Sequence, residues 1–483
     1  MIPVLYVFAY FLAALAVSLI LPAIIAIGLG EGTLGLDFLI SAALWIFVAG
    51  AQMLSLRGRE RRLRPAQRYL LAFMLWLLLP VVGAVPLMMT VDGVGFVSAY
   101  FEAVSGLTTT GASLLPPPEE LPRSVVLWLA MMQWFGGGLT LLVVVLALAP
   151  SGVGGLPETH SRMIEHGGLP ERRRLMLLVR DVFPLYLGAT AITFLLLAAT
   201  ELEAFEALCL AFSAVSTGGF SPRSVTIAEY VPTFGIFVLI AAMLYGGTNV
   251  LWQRDLIQLR RSRRMSHRES QWTIGLCLGL GLLAGLAFFR AAGQGAWVAI
   301  RDGLFTATSL ITTSGFEVRN ASFEIFPIAL VAILLAVGAA SFSTAGGIKL
   351  FRIGSMLVQA HRELTRLIYP HGIRPSRLGG QPYDIQVMKA IWSGFLAFIL
   401  AAVALSLLLA STEIPYEGAM LAALSALSNA GPVYASDWAA ASGWPSYGEM
   451  DTISHLGLCF GMILGRLEVV AALGLAVYVI RRG

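Results

Sequence analysis

The segment SGLTTTG, Ser105 to Gly111, is the first of four copies of the pattern Ser-x-x-[Ser/Thr]-[Thr/Asn]-x-Gly. The other copies are SAVSTGG (213–219), SLITTSG (309–315) and SALSNAG (425–431), and the final glycines lie 108, 96 and 116 residues apart. Each copy ends an apolar run of about ten residues, which is too short to cross a bilayer and lies between two runs that are long enough. The pattern therefore predicts four repeats of helix, short re-entrant helix, glycine filter and helix around one pore.

Composition places this chain among polytopic membrane proteins. Of its 483 residues, 57% are hydrophobic and only 12% are charged, whereas a soluble protein carries about a quarter charged residues. The formal net charge of +4 does not indicate a nucleic-acid partner, because the basic residues occupy short loops where membrane topology explains them. The three cysteines stand far apart in apolar runs, so we expect packing residues rather than disulfides or a metal site.

Hydropathy predicts ten full spans in an all-α membrane protein. The first two, about 4–28 and 36–55, precede the repeats, and the first is expected to be an uncleaved helix. The outer helices of the repeats are predicted near 69–90, 181–200, 271–290 and 389–411. The inner helices are predicted near 125–149, 232–251, 326–350 and 453–480. The predicted units are 1–68 for the two N-terminal helices with their basic loop, then 69–150, 181–252, 271–351 and 389–483 for the four repeats.

The arginine-rich loops predict the orientation. Basic stretches at 57–68, 171–180, 253–268 and 352–377 all fall on one side of a ten-span arrangement. Positive residues accumulate on the cytoplasmic side of membrane proteins. Both termini are therefore expected in the cytoplasm.

Residue types in the four motifs point to a cation filter. A pore that strips an ion of water must line its path with oxygens, and consecutive carbonyls face an axis only with dihedrals that glycine adopts easily. A short helix before each filter would aim its partly negative C-terminal end at the pore centre, which favours a cation. Such irregular backbone is tolerated in a membrane only where it is buried in protein or lines water.

The chain resembles the Trk/Ktr/HKT superfamily of potassium transporters, and within it the TrkH-type pore subunits. The resemblance covers the whole chain, including the two extra N-terminal helices of TrkH-type members. Its carriers are TTTGAS (108–113), STGGFS (216–221), TTSGFE (312–317), SNAGPV (428–433), WFGGG (134–138), SFSTAGGIKLF (341–351) and GRLEVV (465–470).

The resemblance implies channel-like potassium uptake across a bacterial inner membrane, with potassium as the only bound group and no further cofactor. It implies potassium binding at the filter residues Thr109, Thr110, Gly111, Thr217, Gly218, Gly219, Thr313, Ser314, Gly315, Asn429, Ala430 and Gly431. Glycine in all four final positions favours potassium over sodium, although the irregular fourth motif warns of an asymmetric filter. A homodimer and a separate nucleotide-binding cytoplasmic ring of the TrkA type are the implied partners. Proton coupling stays open.

The resemblance also implies a gate beneath the filter. Its residues would be Ser343, Thr344, Ala345, Gly346, Gly347, Lys349 and Arg466. Hydroxyl residues and the Gly346-Gly347 pair weaken the third inner helix. Lys349 has an alternative interpretation as an interfacial residue that snorkels to water. An arginine inside an apolar span is costly and indicates function, with a salt bridge to another helix as the alternative for Arg466.

Other functions are disfavoured. The chain lacks a Gly-x-x-x-x-Gly-Lys-[Ser/Thr] phosphate loop, so it is not expected to be an enzyme or the ATP-hydrolysing part of a pump. A sodium-permeable transporter of the same fold is the first rival. An inverted-repeat transporter of organic solutes is disfavoured because the four motifs run in one direction, and a membrane scaffold would leave them unexplained. The carboxylates Glu102, Glu206, Asp302 and Glu417 are expected to cap helices.

Overall fold

The structure of this chain is a computed structural model. It describes residues 2–58, 63–148, 171–258, 265–292, 295–369, 377–378, 381–382, 385–436 and 441–467. Within these ranges the only strands are β1 (Arg377–Leu378) and β2 (Gln381–Pro382), which form one antiparallel pair. The predicted all-α fold class is confirmed.

Helices account for almost all the regular structure. In chain order they are α1 (Ile2–Ser18), α2 (Ile20–Gly28), α3 (Gly32–Ser55), α4 (Pro65–Thr90), α5 (Phe96–Leu107), α6 (Arg123–Val143), α7 (Glu171–Ala198), α8 (Ala204–Ser216), α9 (Ile227–Tyr230), α10 (Thr233–Gly247), α11 (Val250–Ile257), α12 (Met265–Ala292), α13 (Ala296–Ile311), α14 (Ile328–Val337), α15 (Leu350–Ile368), α16 (Ile385–Ala410), α17 (Tyr416–Leu427) and α18 (Thr452–Leu467). A π-helical turn over Val144–Leu148 continues α6.

Each predicted repeat contains an outer helix, a short pore helix and an inner helix. The triplets are α4, α5 and α6; α7, α8 and α10; α12, α13 and α14; and α16, α17 and α18. The pore helices have 12, 13, 16 and 12 residues. At 1.5 Å per residue they cannot cross a hydrocarbon core about 30 Å thick, so the chain turns back inside the protein.

Two predicted inner helices are interrupted. The second bends by 107° between α10 and α11, where the Asn249 side chain accepts a hydrogen bond from Leu251 N (2.9 Å) and starts a new helix. The third ends at Val337, and Gly338 follows with φ +65°. The described residues contain seven helices that could span a membrane, or eight if the bent pair counts as one. Part of the predicted fourth inner helix, 468–480, lies outside the described residues.

Glycines on three inner helices allow close packing against the pore helices. A Cβ atom on Gly136 would lie 1.9 Å from Leu107 O, one on Gly246 2.6 Å from Val215 O, and one on Gly465 2.3 Å from Leu427 O. All three carbonyls stand four residues before the final glycine of their motif. The same contact therefore recurs in the first, second and fourth repeats, and it explains why WFGGG and GRLEVV carry glycine at these points.

Replacing Gly136 with alanine tests this packing. We expect Gly136→Ala to lower the thermal unfolding midpoint of the detergent-solubilised protein, because overpacking against a fixed backbone carbonyl costs about 1–3 kcal/mol or more. Gly138→Ala is the matched control in the same motif, since its Cβ would meet Tyr186 at an ordinary 3.6 Å. Equal midpoints for the two variants would contradict the account.

Candidate ion pathway

The four motifs fold into the same helix-ending turn. We call residues 108–111, 216–219, 312–315 and 428–431 the filter turns. In each one the residue before the final position donates its backbone N–H to the carbonyl of the motif's first serine, over 2.8, 2.9, 2.9 and 2.8 Å. This six-to-one bond is the Schellman C-cap. It explains the fixed spacing between the first serine and the last residues of the pattern.

The residue at the fifth motif position takes the left-handed conformation that this cap requires. Thr109, Thr217 and Thr313 have φ of +51°, +55° and +57°, and Asn429 has +53°. A β-branched residue in this region is a genuine outlier and costs about 1–3 kcal/mol. Glycine would avoid that cost, so threonine at three equivalent positions points to a use for its hydroxyl group.

The filter turns meet in one ring. A Cβ on Gly111 would lie 2.3 Å from Gly218 O, and one on Gly219 would lie 1.8 Å from Ser314 O. The third turn meets the fourth, since a Cβ on Gly315 would lie 3.0 Å from Pro432 Cδ. The ring closes where Gly431 N donates to Thr110 O over 2.7 Å. Each repeat thus contacts the next, through its filter turn or, between the third and the fourth, through Pro432 directly after the turn.

The fourth filter turn departs from the other three. Gly111, Gly219 and Gly315 have φ of +78°, +75° and +76°, respectively, values that glycine adopts without strain. Gly431 is not among the residues with positive φ; it follows Ala430 (φ −133°) and begins a 3₁₀ helix over Gly431–Val433. Its carbonyl accepts a hydrogen bond from the Tyr447 hydroxyl over 3.1 Å. The expectation of glycine-type dihedrals therefore holds for three of the four repeats.

A non-helical segment lies directly against the filter turns. We call residues 338–349, between α14 and α15, the gate loop. Gly346 N donates to Thr313 Oγ1 over 2.7 Å, and the hydroxyls of Thr344 and Thr217 lie 3.1 Å apart. A Cβ on Gly346 would be 1.8 Å from Ser428 O. The loop thus touches three of the four turns at the end where their pore helices stop.

Arg466 joins the gate loop to the first filter turn. Its guanidinium donates to Thr108 O over 2.6 Å, to Thr344 O over 2.5 Å and to the Thr109 hydroxyl. The side chain is buried, and among the described residues it forms no ion pair with a carboxylate; Glu468 lies outside them. Hydrogen bonds from a charged donor stabilise by about 1.5–3 kcal/mol each, which offsets burying this charge.

The remaining predicted gate residues lie within the loop. Lys349 has φ +86° at the start of α15 and its ammonium group donates to Ala345 O. Gly347 has φ +75°, and a Cβ there would meet Gly338 Cα at 2.9 Å. Ser343 donates to Ala340 O over 2.5 Å. The Lys349 side chain therefore folds back onto the loop and caps the carbonyl of Ala345.

Sequence reasoning missed Glu269, which joins the gate loop to the first turn of α15. This carboxylate on α12 is buried, and its Oε1 accepts from Ser341 N over 2.7 Å and from Phe351 N over 3.1 Å. It also interacts electrostatically with Lys349. The only sequence signal is a carboxylate at the start of a span, directly after the basic stretch 253–268, where it resembles an ordinary loop residue.

Gln133 was also missed. This buried side chain on α6 donates through Nε2 to Gly218 O over 3.0 Å, and its Oε1 accepts from the Ser213 hydroxyl over 2.9 Å and from Phe220 N over 3.3 Å. It thus supports the second filter turn from behind. A glutamine one residue before the WFGGG motif is the signal that could have found it.

The carboxylates on the pore helices do not cap them. None of the four pore helices has a side-chain hydrogen bond at its N-cap. Glu102 instead accepts hydrogen bonds from Ser113 Oγ over 2.8 Å and from the Leu114 and Leu115 amides.

Two other carboxylates form ion pairs. Glu206 pairs with Arg223 over 2.5 Å, and Asp302 pairs with Arg301 over 2.7 Å and with Arg319. The capping prediction is wrong for these three residues, which fix the segments that follow the filters; Glu417 lies exposed in the first turn of α17.

Comparison with known proteins gives one consistent family. The model of the TrkH family, described as cation transport protein, matches residues 36–284 and 287–480. The "Trk system potassium uptake protein TrkH" of Salmonella typhimurium is 28% identical over 428 residues, 86% of this chain and 85% of the relative. The protein of the same name from Halomonas elongata is 27% identical over 96% of both chains. The crystal structure of the potassium transporter TrkH from Vibrio parahaemolyticus matches with TM-score 0.84 and 23% identity, over 98% of each chain.

The support that Gln133 gives to the second filter turn can be measured as stability. We expect Gln133→Leu to lower the thermal unfolding midpoint, because it leaves buried polar groups without partners at about 1–3 kcal/mol. Gln258→Leu, at an exposed position after α11, is the control and should leave the midpoint unchanged. A Gln133→Leu protein as stable as the wild type would refute this role.

Proposed function

The chain belongs to the TrkH family of cation transport proteins, and on that premise we propose that it carries potassium into the cell through the ring of filter turns. It is a multi-pass membrane transport protein and not an enzyme. The relatives named above are potassium uptake proteins. The proposed ion ligands are the backbone oxygens and hydroxyls of residues 109–111, 217–219 and 313–315, with 429–431 contributing asymmetrically.

The observation that carries the proposal is the convergence of four helix ends on one ring of backbone oxygens. Each pore helix directs its partly negative C-terminal end at this ring, and a cation is stabilised there. Carbonyl oxygens such as Gly218 O and Ser314 O lie beside the glycine of the preceding repeat. Oxygens in this arrangement replace the hydration water of a potassium ion.

We propose that the gate loop closes this pathway. The loop runs beneath the filter turns and is held by Thr313, Thr217 and Arg466. Groups of the loop contact the hydroxyls of Thr217 and Thr313, and Arg466 contacts that of Thr109. Opening requires that these bonds break together and that the loop withdraws. The guanidinium of Arg466 then also leaves the first filter turn or remains there as a positive charge that slows cations.

The proposed assembly rests on the resemblance alone, and the proposed orientation rests on the arginine-rich loops. They are a homodimer with one pore per subunit, a separate nucleotide-binding ring of the TrkA type that controls opening, and both termini on the cytoplasmic side of a bacterial inner membrane. The basic stretches on the proposed cytoplasmic side, including 352–377 after the gate loop, offer the ring a charged surface. Helix α15, which follows the gate loop directly, would transmit its movement.

A sodium-permeable pore is the second candidate. It is favoured by one observation, the departure of Gly431 from the geometry of the other three glycines. A ring with three regular turns offers an ion fewer fixed oxygens than a ring with four. The preference for potassium over sodium is then expected to fall.

Rubidium-86 uptake into potassium-loaded liposomes containing the purified protein tests the function. We expect uptake that excess external potassium suppresses and excess external sodium does not, because the filter oxygens replace the hydration shell of the larger ion. Equal suppression by both ions would favour the second candidate. Silence that persists after deletion of residues 343–347, in protein that still elutes as a folded species, would contradict a pore.

Glu269 gives a prediction for the gate. We expect Glu269→Ala to raise rubidium uptake without any partner by at least about tenfold, since two hydrogen bonds to a charged acceptor hold the closed loop. Glu269→Gln retains an oxygen that can accept both bonds and should stay nearer to wild type. Unchanged uptake in the alanine variant, with its unfolding midpoint preserved, would show that this carboxylate does not hold the gate.

A further inference from the structure

We infer that Pro432 constricts the pathway at the end of the filter opposite the gate loop, so that the fourth repeat controls ion entry there. The gate loop touches the fourth or fifth motif position of the turns, at Ser428, Thr217 and Thr313, whereas Pro432 touches the last. The inference rests on the proposed function, because it assigns a second control point to the same pore.

The ring of Pro432 lies between three repeats. Cβ atoms on Gly111, Gly219 and Gly315 would each find a Pro432 ring carbon as close as 3.2, 3.0 and 3.0 Å. A Cβ stands about 1.5 Å from its Cα, so the ring is within about 5 Å of all three glycine Cα atoms. Only a group near the axis can approach three repeats at once.

Two hydrogen bonds fix the residue before Pro432. Gly431 N donates to Thr110 O over 2.7 Å, and Gly431 O accepts from the Tyr447 hydroxyl over 3.1 Å. The first bond uses an oxygen of the first filter turn, and the second engages the carbonyl of the fourth. Tyr447 is itself buried and packs against Phe101 and Tyr434, with ring centroids 6.0 and 5.0 Å away. Proline with its fixed φ then projects from a rigid base.

The chemistry of this ring differs from that of the filter. Pyrrolidine carbons supply no oxygen to an ion that must exchange water for ligands. A cation can therefore pass only through the gap beside the ring, or after the ring has moved aside. Loss of the Cγ and Cδ atoms widens the entrance, so we expect Pro432→Ala to increase rubidium uptake and to reduce the preference for potassium over sodium.

A cysteine at this position tests the placement directly. Pro432→Cys in liposomes is treated from outside with a cationic trimethylammonium-ethyl methanethiosulfonate, and the modification rate is read by mass spectrometry. The native cysteines Cys209, Cys277 and Cys459 are free and buried, so the wild type gives the background. Val225→Cys, at a side chain that is 40% exposed, is the control away from the axis.

We expect potassium to slow modification of Pro432→Cys at least about fivefold relative to choline, because ion and reagent compete for one axis, and not to slow that of Val225→Cys. We also expect the modification to block rubidium uptake by Pro432→Cys and not by Val225→Cys. A Pro432→Cys that is unreactive, or that reacts equally fast in both salts, would overturn the inference, as would a Pro432→Ala with wild-type uptake and ion preference. If protein that carries only the deletion of residues 343–347 takes up no rubidium, the proposed function itself would be contradicted.

Discussion

Backbone polar groups inside a membrane must find partners within the protein, and this constraint underlies every part of the pathway. Four pore helices end inside the protein, and each meets the constraint with the same Schellman turn on the first serine of its motif. At the interruption of the third inner helix, Ile348 N donates a hydrogen bond to Ala336 O (2.8 Å). The Glu269 carboxylate accepts hydrogen bonds from two further backbone amides. The proposed ion filter is therefore built from helix ends whose carbonyls are only partly used.

The same constraint makes the pathway asymmetric. In three repeats the turn continues into a left-handed glycine. Gly111 and Gly219 lie against the carbonyls of Gly218 and Ser314 in the following repeat. In the fourth repeat a proline follows Gly431, and the chain enters a 3₁₀ helix that is anchored by Tyr447. The gate loop adds a second asymmetry because it belongs to the third repeat alone. A fourfold sequence pattern thus produces a ring that is contacted by different repeats at its two ends, where we propose that ion passage is controlled.

The sequence predicted the fold class, the four motif-bearing segments and the weakening of the third inner helix at 341–349, but not the 107° bend in the second inner helix. Motif spacing and span length carry that information, since they follow from local helix geometry. The roles of Glu269 and Gln133 could not be predicted, because each residue acts on backbone groups 72 to 87 positions away. The carboxylates Glu102, Glu206 and Asp302 were misassigned for the same reason: their partners lie beyond the filter and not in their own first turn.

The central claim is that a cation binds on the axis of the four filter turns. Anomalous scattering from rubidium, in crystals of the protein grown with rubidium as the only alkali cation, tests it most directly. The account predicts a peak between the backbone oxygens of residues 109–111, 217–219 and 313–315, on the far side of Thr344 and Gly346 from the cytoplasm. Rubidium peaks found only elsewhere, in protein that takes up rubidium in liposomes, would contradict it.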